Sequence, residues 1–265
     1  MIDTLVVNEI YLSIQGESTF AGLPCVFVRL TACNLRCSYC DTSYAFSEGK
    51  KILLGEIRER IAELAKPFVD RAKDRVDSVL REHGRKGETA VLLGSIRLPL
   101  VELTGGEPLL QPGSIPLMKA LCDDGFTVLV ETSGALDIAP LDPRVRRIMD
   151  LKCPSSGEAA RNRWENLPHL TNTDEIKFVI GTHEDYEWAK TQLAKFNLAS
   201  ICPILFSWVT PLRPHQQDKS LKKVPVGQKP ISRLELVEKI IADALPVRFQ
   251  LQMHKFIWPP DQRGV

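Results

Sequence analysis

Short apolar blocks punctuate the chain, and they come in two periodicities. "EIYLSI" (9–14), "CVFVRL" (25–30), "LPLVELT" (98–104), "FTVLVE" (126–131), "RIMDLK" (147–152), "EIKFVI" (175–180), "SICPILF" (200–206) and "VRFQLQ" (247–252) predict strands. Several are apolar almost without interruption, the pattern of strands buried on both faces of a parallel sheet. Between them the spacing changes to that of amphipathic helices. Ile57, Ile61, Leu64 and Ala65 share one face; Pro67 breaks the pattern, and Phe68, Ala72, Val76, Val79 and Leu80 restart it. Tyr186, Ala189, Leu193 and Phe196 share another face. The last helix is announced by a capping box, Ser232 with Glu235, and by Ile231 and Leu236 as a hydrophobic staple. Leu234, Val237, Ile240 and Ile241 form its expected buried stripe.

Strands that alternate with helices predict an α/β fold whose parallel sheet is built from βα units. There is no internal repeat. Two segments stand outside that plan. Residues 55–88 are charged and long for one crossover, and read as a helical insertion. Residues 210–230, "TPLRPHQQDKSLKKVPVGQKP", are rich in Pro, Lys and Gln and read as an exposed loop insertion. A chain of 265 residues that is 44% hydrophobic supports one sizeable core, so a single domain over 1–265 is expected. Its 34 basic and 33 acidic residues nearly cancel, which gives no reason to expect a nucleic-acid surface. No stretch is long and apolar enough to span a bilayer, and "MIDTLVVNEI" lacks the basic and apolar regions of a signal peptide. A cytoplasmic protein is expected, and there thiols stay reduced. The seven cysteines are therefore read as ligands, nucleophiles or core residues rather than bridges.

Three of them crowd into "TACNLRCSYCDT" (31–42) as Cys33, Cys37 and Cys40. Thiolates suit zinc or iron–sulfur clusters, and three in one loop can hold one face of a [4Fe–4S] cube while leaving an iron for another ligand. A structural zinc site needs a distant fourth ligand, and His83, His169, His183, His215 and His254 leave that reading open. Cys25, Cys122, Cys153 and Cys202 lie in or beside apolar runs and read as core thiols. Arg29 shares one strand face with Cys25 and Phe27, where a guanidinium needs either an internal carboxylate or that of a substrate.

The spacing of "CNLRCSYC", with aromatic Tyr39 before the last cysteine, resembles the cluster motif of the radical S-adenosylmethionine (SAM) superfamily. "VELTGGEP" (101–108) resembles the element that meets the methionyl amine there. "SIQGES" (13–18), Arg29, "CDT" (40–42), "ETSG" (131–134) and "LQMHK" (251–255), in this order, resemble the 7-carboxy-7-deazaguanine synthase family within it. The likeness covers the N-terminal third well, and these later stretches.

The resemblance implies a partial parallel (βα) barrel with the cluster at the C-terminal ends of the strands. It implies Cys33, Cys37 and Cys40 as ligands of a [4Fe–4S] cluster, and SAM on the open iron. SAM would be met by Tyr39, Cys40, Asp41, Gly106, Ser133, Asp150, Leu151 and Lys152, and Mg²⁺ by Thr42. Ile14, Gln15, Gly16, Glu17, Arg29, Thr104 and Pro260 would meet substrate. The implied reaction converts 6-carboxy-5,6,7,8-tetrahydropterin to 7-carboxy-7-deazaguanine by hydrogen abstraction at C6, ring contraction and loss of ammonia. Cluster and SAM carry the radical chemistry, so no side chain is a catalytic group in its own right. A radical SAM activase, which makes a glycyl radical on a partner protein, shares the cysteine spacing and is the alternative. The implied partners are the pterin, a one-electron donor such as flavodoxin, and a second copy in a homodimer. Family chains commonly end soon after the "HK" element, where a proline reaches the substrate. Here "HKFIWPPDQRGV" runs on to Val265, Pro259 and Pro260 are both placed for that contact, and 261–265 are expected to be steered away.

Overall fold

Two extended runs open the chain as an antiparallel pair, β1 (Thr4–Ile14) and β2 (Pro24–Leu30), with Tyr11 opposite Phe27. The computed structural model describes residues 3–83, 91–94, 96–259 and 262–265. β3 (Lys50–Leu53) pairs with the start of β1, and α1 (Leu54–His83) follows. β4 (Val91–Leu93) and β5 (Ile96–Leu98) pair with each other apart from the main sheet. Then come β6 (Leu100–Gly105), α2 (Ser114–Asp123), β7 (Val128–Thr132), β8 (Arg146–Asp150), β9 (Glu175–Ile180) and α3 (His183–Lys195). β10 (Ile204–Trp208), α4 (Arg233–Ala242), β11 (Arg248–Gln250) and α5 (His254–Ile257) complete the order.

The main sheet has nine described strands in the order β11-β10-β9-β8-β7-β6-β2-β1-β3. Every neighbouring pair from β2 to β11 is parallel. β3 and β11 stand at its two edges, so the barrel is partial, as expected. All eight expected strands are present; β3 and the β4–β5 pair are additional.

Alternation along the strands separates two cores. Val26, Val28, Leu103, Val130, Ile176, Phe178 and Phe206 face the helices, packing with Ile57 and Ile61 of α1, Leu117 and Leu121 of α2, Tyr186 of α3 and Leu236 of α4. Ile57 and Ile61 are fully buried, each worth about 2 kcal/mol, so the first half of α1 is a core element. The helix continues through Pro67 instead of breaking there. Pro67 and Glu63, whose carbonyl loses its partner, are both exposed, on a face of the helix where solvent can take the place of the lost bond. The predicted segment 55–88 is one helix to His83, and 84–88 lie outside the described residues.

α4 has the predicted capping box, with Ser232 Oγ accepting from the Glu235 N–H and Glu235 from the Ser232 N–H. Its buried face differs from the expected stripe. Leu236 and Ile240 point inward, while Leu234 and Ile241 are 65% and 71% exposed. The staple residue Ile231 anchors the entry and rotates the helix toward the Leu236 face. Among the described residues no helix is long and apolar enough to cross a membrane.

Candidate active site

The inner face of the sheet carries a small apolar floor of Cys25, Phe27, Leu100, Leu129 and Ile148, closed by Phe20. Two residues further along each strand, the same face turns polar. Arg29 follows Phe27, Glu102 and then Thr104 follow Leu100, Glu131 follows Leu129, and Asp150 follows Ile148. β9 adds Lys177. This polar layer lines a cavity of about 550 Å³ at the C-terminal ends of the parallel strands, the end at which such barrels gather their chemistry.

A charge network fills the floor of the cavity. The Lys177 ammonium, 4% exposed, is bonded to Glu131 and lies 3.2 Å from Glu17. Thr104 Oγ1 donates to the other Glu131 oxygen at 3.2 Å. Burial would raise the Glu131 carboxyl, but Lys177 outweighs it and holds the group below its ordinary value. Glu102 goes the other way: burial, then the neighbouring Glu131, push it well above the usual range and favour its neutral form. The Gln15 amide donates to Glu102, while its carbonyl oxygen accepts from the Glu17 N–H at 2.8 Å. Arg29 donates from Nε to Glu9 at 2.7 Å and from Nη2 to the Tyr11 hydroxyl at 2.8 Å, leaving other donors of its fork.

Cys33, Cys37 and Cys40 all line the same cavity. Their loop is braced from outside, with Ser38 Oγ donating to the Ser155 carbonyl at 2.7 Å and the Arg36 N–H to Glu158 at 2.7 Å. The 210–230 loop joins this brace. The Lys222 N–H donates to the Arg36 carbonyl at 2.8 Å, Lys222 Nζ reaches Glu158 at 2.8 Å, and His215, Gln216 and Asp218 line the cavity.

Burial pushes all three thiols up, Cys37 to about 12, and favours their protonated form until an electrophilic metal binds them. Among the described residues no three His, Cys, Asp or Glu side chains converge as a single ion requires. Three thiols of one loop lining one cavity are the donor type of a [4Fe–4S] cluster, which takes each thiolate on a different iron. The other four cysteines are free and buried, Cys153 fully.

The loop after β6 closes against the cysteine loop. A Cβ at Gly106 would come within 2.0 Å of the Ala32 carbonyl oxygen, so only glycine allows this approach. Glu107 next to it is fully buried and accepts from the Ser133 N–H at 2.7 Å, Ser133 Oγ at 2.5 Å and Thr132 Oγ1 at 2.9 Å. Two buried atoms of cavity-lining residues, the Tyr39 hydroxyl and Asp150 Oδ1, have no hydrogen-bond partner among the described residues. Lys152 Nζ bonds the other Asp150 oxygen at 2.6 Å.

Ile14, Gly16, Asp41, Thr42, Ser133 and Lys152 also line the cavity. Thr42 Oγ1 lies 3.7 Å from Cys40 Sγ. Leu151 is not brought in: alternation turns its side chain into the helix-side core, where it is fully buried, and its N–H donates to the Lys177 carbonyl. Pro260 lies outside the described residues.

The C-terminal segment completes the wall. A Cβ at Gly16 would meet His254 Nδ1 at 2.5 Å, and the Gly16 carbonyl accepts from the Met253 N–H at 2.9 Å. Lys255 pairs with Asp41; burial alone would raise that carboxyl, and the ammonium holds it at about 2. Residues 262–265 are not steered away as expected but line the cavity, because Arg263 is drawn to Glu48 at 2.6 Å and onto the Tyr44 ring. Glu102, Glu131, Lys177, Tyr11, Tyr44 and Lys255 are site residues that the sequence reading does not single out. A lone charge in an otherwise apolar run, as in "LVELT", "VLVET" and "IKFVI", is the signal for the first three.

The family model of the radical SAM superfamily matches residues 28–155. The crystal structure of QueE from Escherichia coli superposes with a TM-score of 0.58 at 20% identity, covering 95% of both chains, a likeness of fold. Fold and site together define a radical SAM enzyme of the lyase type, with a [4Fe–4S] cluster and SAM as cofactors. The 7-carboxy-7-deazaguanine synthase of Koribacter versatilis is 38% identical over 98% of this chain and 99% of its own. That of Chlorobaculum tepidum is 39% identical over 98% and 96%. The chain belongs to this family of 7-deazapurine biosynthesis.

Proposed function

We propose that the protein converts 6-carboxy-5,6,7,8-tetrahydropterin to 7-carboxy-7-deazaguanine, with hydrogen abstraction at C6, ring contraction and release of ammonia. The observation that carries this reading is that one cavity joins the three cysteines to Gln15, Glu17, Arg29 and Thr104. Cluster and SAM, when bound, supply a carbon-centred radical able to take hydrogen from carbon. The side chains bind and orient. Gln15 and Glu17 offer donors and acceptors to a pterin edge, and Glu17 is held in place by Lys177 and by Gln252 Nε2 at 3.2 Å. Arg29 offers the unused part of its fork to the carboxylate, with the donors pre-set by Glu9 and Tyr11. Thr42 would hold Mg²⁺ with water and substrate oxygens completing its shell, since Mg²⁺ accepts few protein ligands. A flavodoxin-class reductant and a homodimer belong to the same proposal and rest on the resemblance, and a cytoplasmic location is proposed with them.

The test is an anaerobic assay of reconstituted, reduced enzyme with SAM, Mg²⁺ and 6-carboxytetrahydropterin, read by mass spectrometry. Formation of 7-carboxy-7-deazaguanine with ammonia supports the reading; 5′-deoxyadenosine and methionine alone would overturn the substrate. Arg29→Ala should raise KM for the pterin about 30-fold, the loss of a charged hydrogen bond, and leave substrate-free SAM cleavage within about twofold. Equal loss of both activities would make Arg29 a structural residue.

A further inference from the structure

The segment Gln262–Val265 returns to the end of the cavity where Arg29 sits, although 215 positions separate Arg263 from its partner Glu48. The Arg263 guanidinium carbon lies 3.8 Å from the centroid of the Tyr44 ring, and Arg263 Nη1 donates to Glu48 at 2.6 Å. Arg29 approaches the same ring, with its guanidinium carbon 6.0 Å from the centroid. The Tyr44 hydroxyl donates to Glu9 Oε1 at 3.1 Å, the oxygen that accepts from Arg29 Nε at 2.7 Å. A Cβ added at Gly264 would come 4.0 Å from the other Glu9 oxygen, so the tail also lies beside that carboxylate.

We propose that Arg263 is a positioning residue for the carboxylate end of the substrate: by stacking on Tyr44 it fixes the ring whose hydroxyl holds Glu9, and Glu9 in turn sets the fork of Arg29. The inference rests on the substrate reading given above and deepens it. The Arg263–Glu48 pair is about half exposed on both sides, with side-chain exposures of 51% and 54%, so it adds little binding energy by itself. What it does is hold the guanidinium flat on the ring, where the stack restricts Tyr44. Arg263 does not touch the substrate in this account. Its effect is confined to ligands that carry the carboxylate Arg29 would grip.

Calorimetry on the reconstituted, SAM-loaded enzyme tests this, using 6-carboxypterin and pterin, which differ only in the carboxylate. Arg263→Ala should weaken 6-carboxypterin about fivefold, the scale of one cation–π contact, and pterin by less than about twofold. Tyr44→Phe keeps the stack and removes the hydroxyl, and should produce the same selective loss. Equal weakening of both ligands, or no weakening, in Tyr44→Phe or in a folded Arg263→Ala overturns the relay. If Arg263→Ala fails to fold, Tyr44→Phe alone decides. A wild-type enzyme that binds neither pterin overturns the substrate reading and the inference with it. A wild type that prefers 6-carboxypterin, with variants that prefer it equally, overturns the inference alone.

Discussion

Replacing Cys33, Cys37 or Cys40 by alanine is expected to remove the cluster and with it SAM cleavage. The three thiols line one cavity, and each would serve a different iron, so none can stand in for another. Loss of an outer-sphere partner costs roughly 10- to 100-fold at a metal site, so loss of a ligand should leave below about 1% of the activity. The fold should survive, because the loop is held by bonds that do not involve sulfur: Ser38 to the carbonyls of Ser155 and Ser156, and Arg36 to Glu158 and Lys222. Iron content, the visible absorption of the cluster and 5′-deoxyadenosine yield should therefore fall together while far-UV circular dichroism stays unchanged. Cys153→Ala is the control. Its sulfur is fully buried in the helix-side core, and its removal should leave iron and absorption intact. Full iron content in any one of the three loop variants would strike that residue from the ligand set, and stoichiometric zinc in place of iron would strike the cluster itself.

What could be read from the chain beforehand was what neighbouring residues determine among themselves. The strands are legible because apolar β-rich runs do not depend on partners, and the Ser232–Glu235 cap because all its atoms lie within one turn. The cysteine loop is likewise local. The rotation of α4 is not: Leu236 with Ile240 and Leu234 with Ile241 are both apolar spacings on one helix, and only packing under the sheet selects the first. Pro67 misleads because its cost depends on whether the carbonyl it frees can meet water, which is a matter of exposure. Leu151 follows from strand alternation that the motif-based reading overrides, since Asp150 and Lys152 face the cavity and the residue between them cannot. The tail escapes for the opposite reason. Nothing in "DQRGV" reveals Tyr44 or Glu48, and the contact exists only once β1, the cysteine loop and the C-terminus have been folded together.

The charge network is the part of the site with most at stake for the fold, and Lys177→Met should show it. Lys177 is 4% exposed and serves Glu131 and Glu17, whose side chains are 30% and 18% exposed, with Glu102 close behind. Removing the cation leaves these carboxylates facing one another over an apolar floor, and breaking such a pair costs about 3 kcal/mol. The pH dependence distinguishes this from a simple packing loss. Burial would lower the Lys177 ammonium, but Glu131 and Glu17 raise it well above the ordinary lysine range. Its contribution is thus complete below the ordinary value of 10.5 and lost only as the pH climbs through the higher folded value. Glu131 is held below its ordinary 4.5, so its contribution is present above that value and lost as the pH falls through the lower folded one. The pair therefore stabilises across neutral pH. In Lys177→Met the Glu131 carboxyl loses the cation that holds it down, so the deficit relative to wild type should be largest near pH 7 and shrink as both proteins approach pH 4, where the variant's carboxyls take up protons. Urea midpoints at the two pH values measure this directly. Lys177→Met/Glu131→Gln, which removes the stranded charge as well, should recover at least about half of the loss at neutral pH. A deficit that is the same at both pH values and untouched by the second substitution would mean that Lys177 acts through its aliphatic stem, and that the carboxylates of the cavity floor do not need its charge.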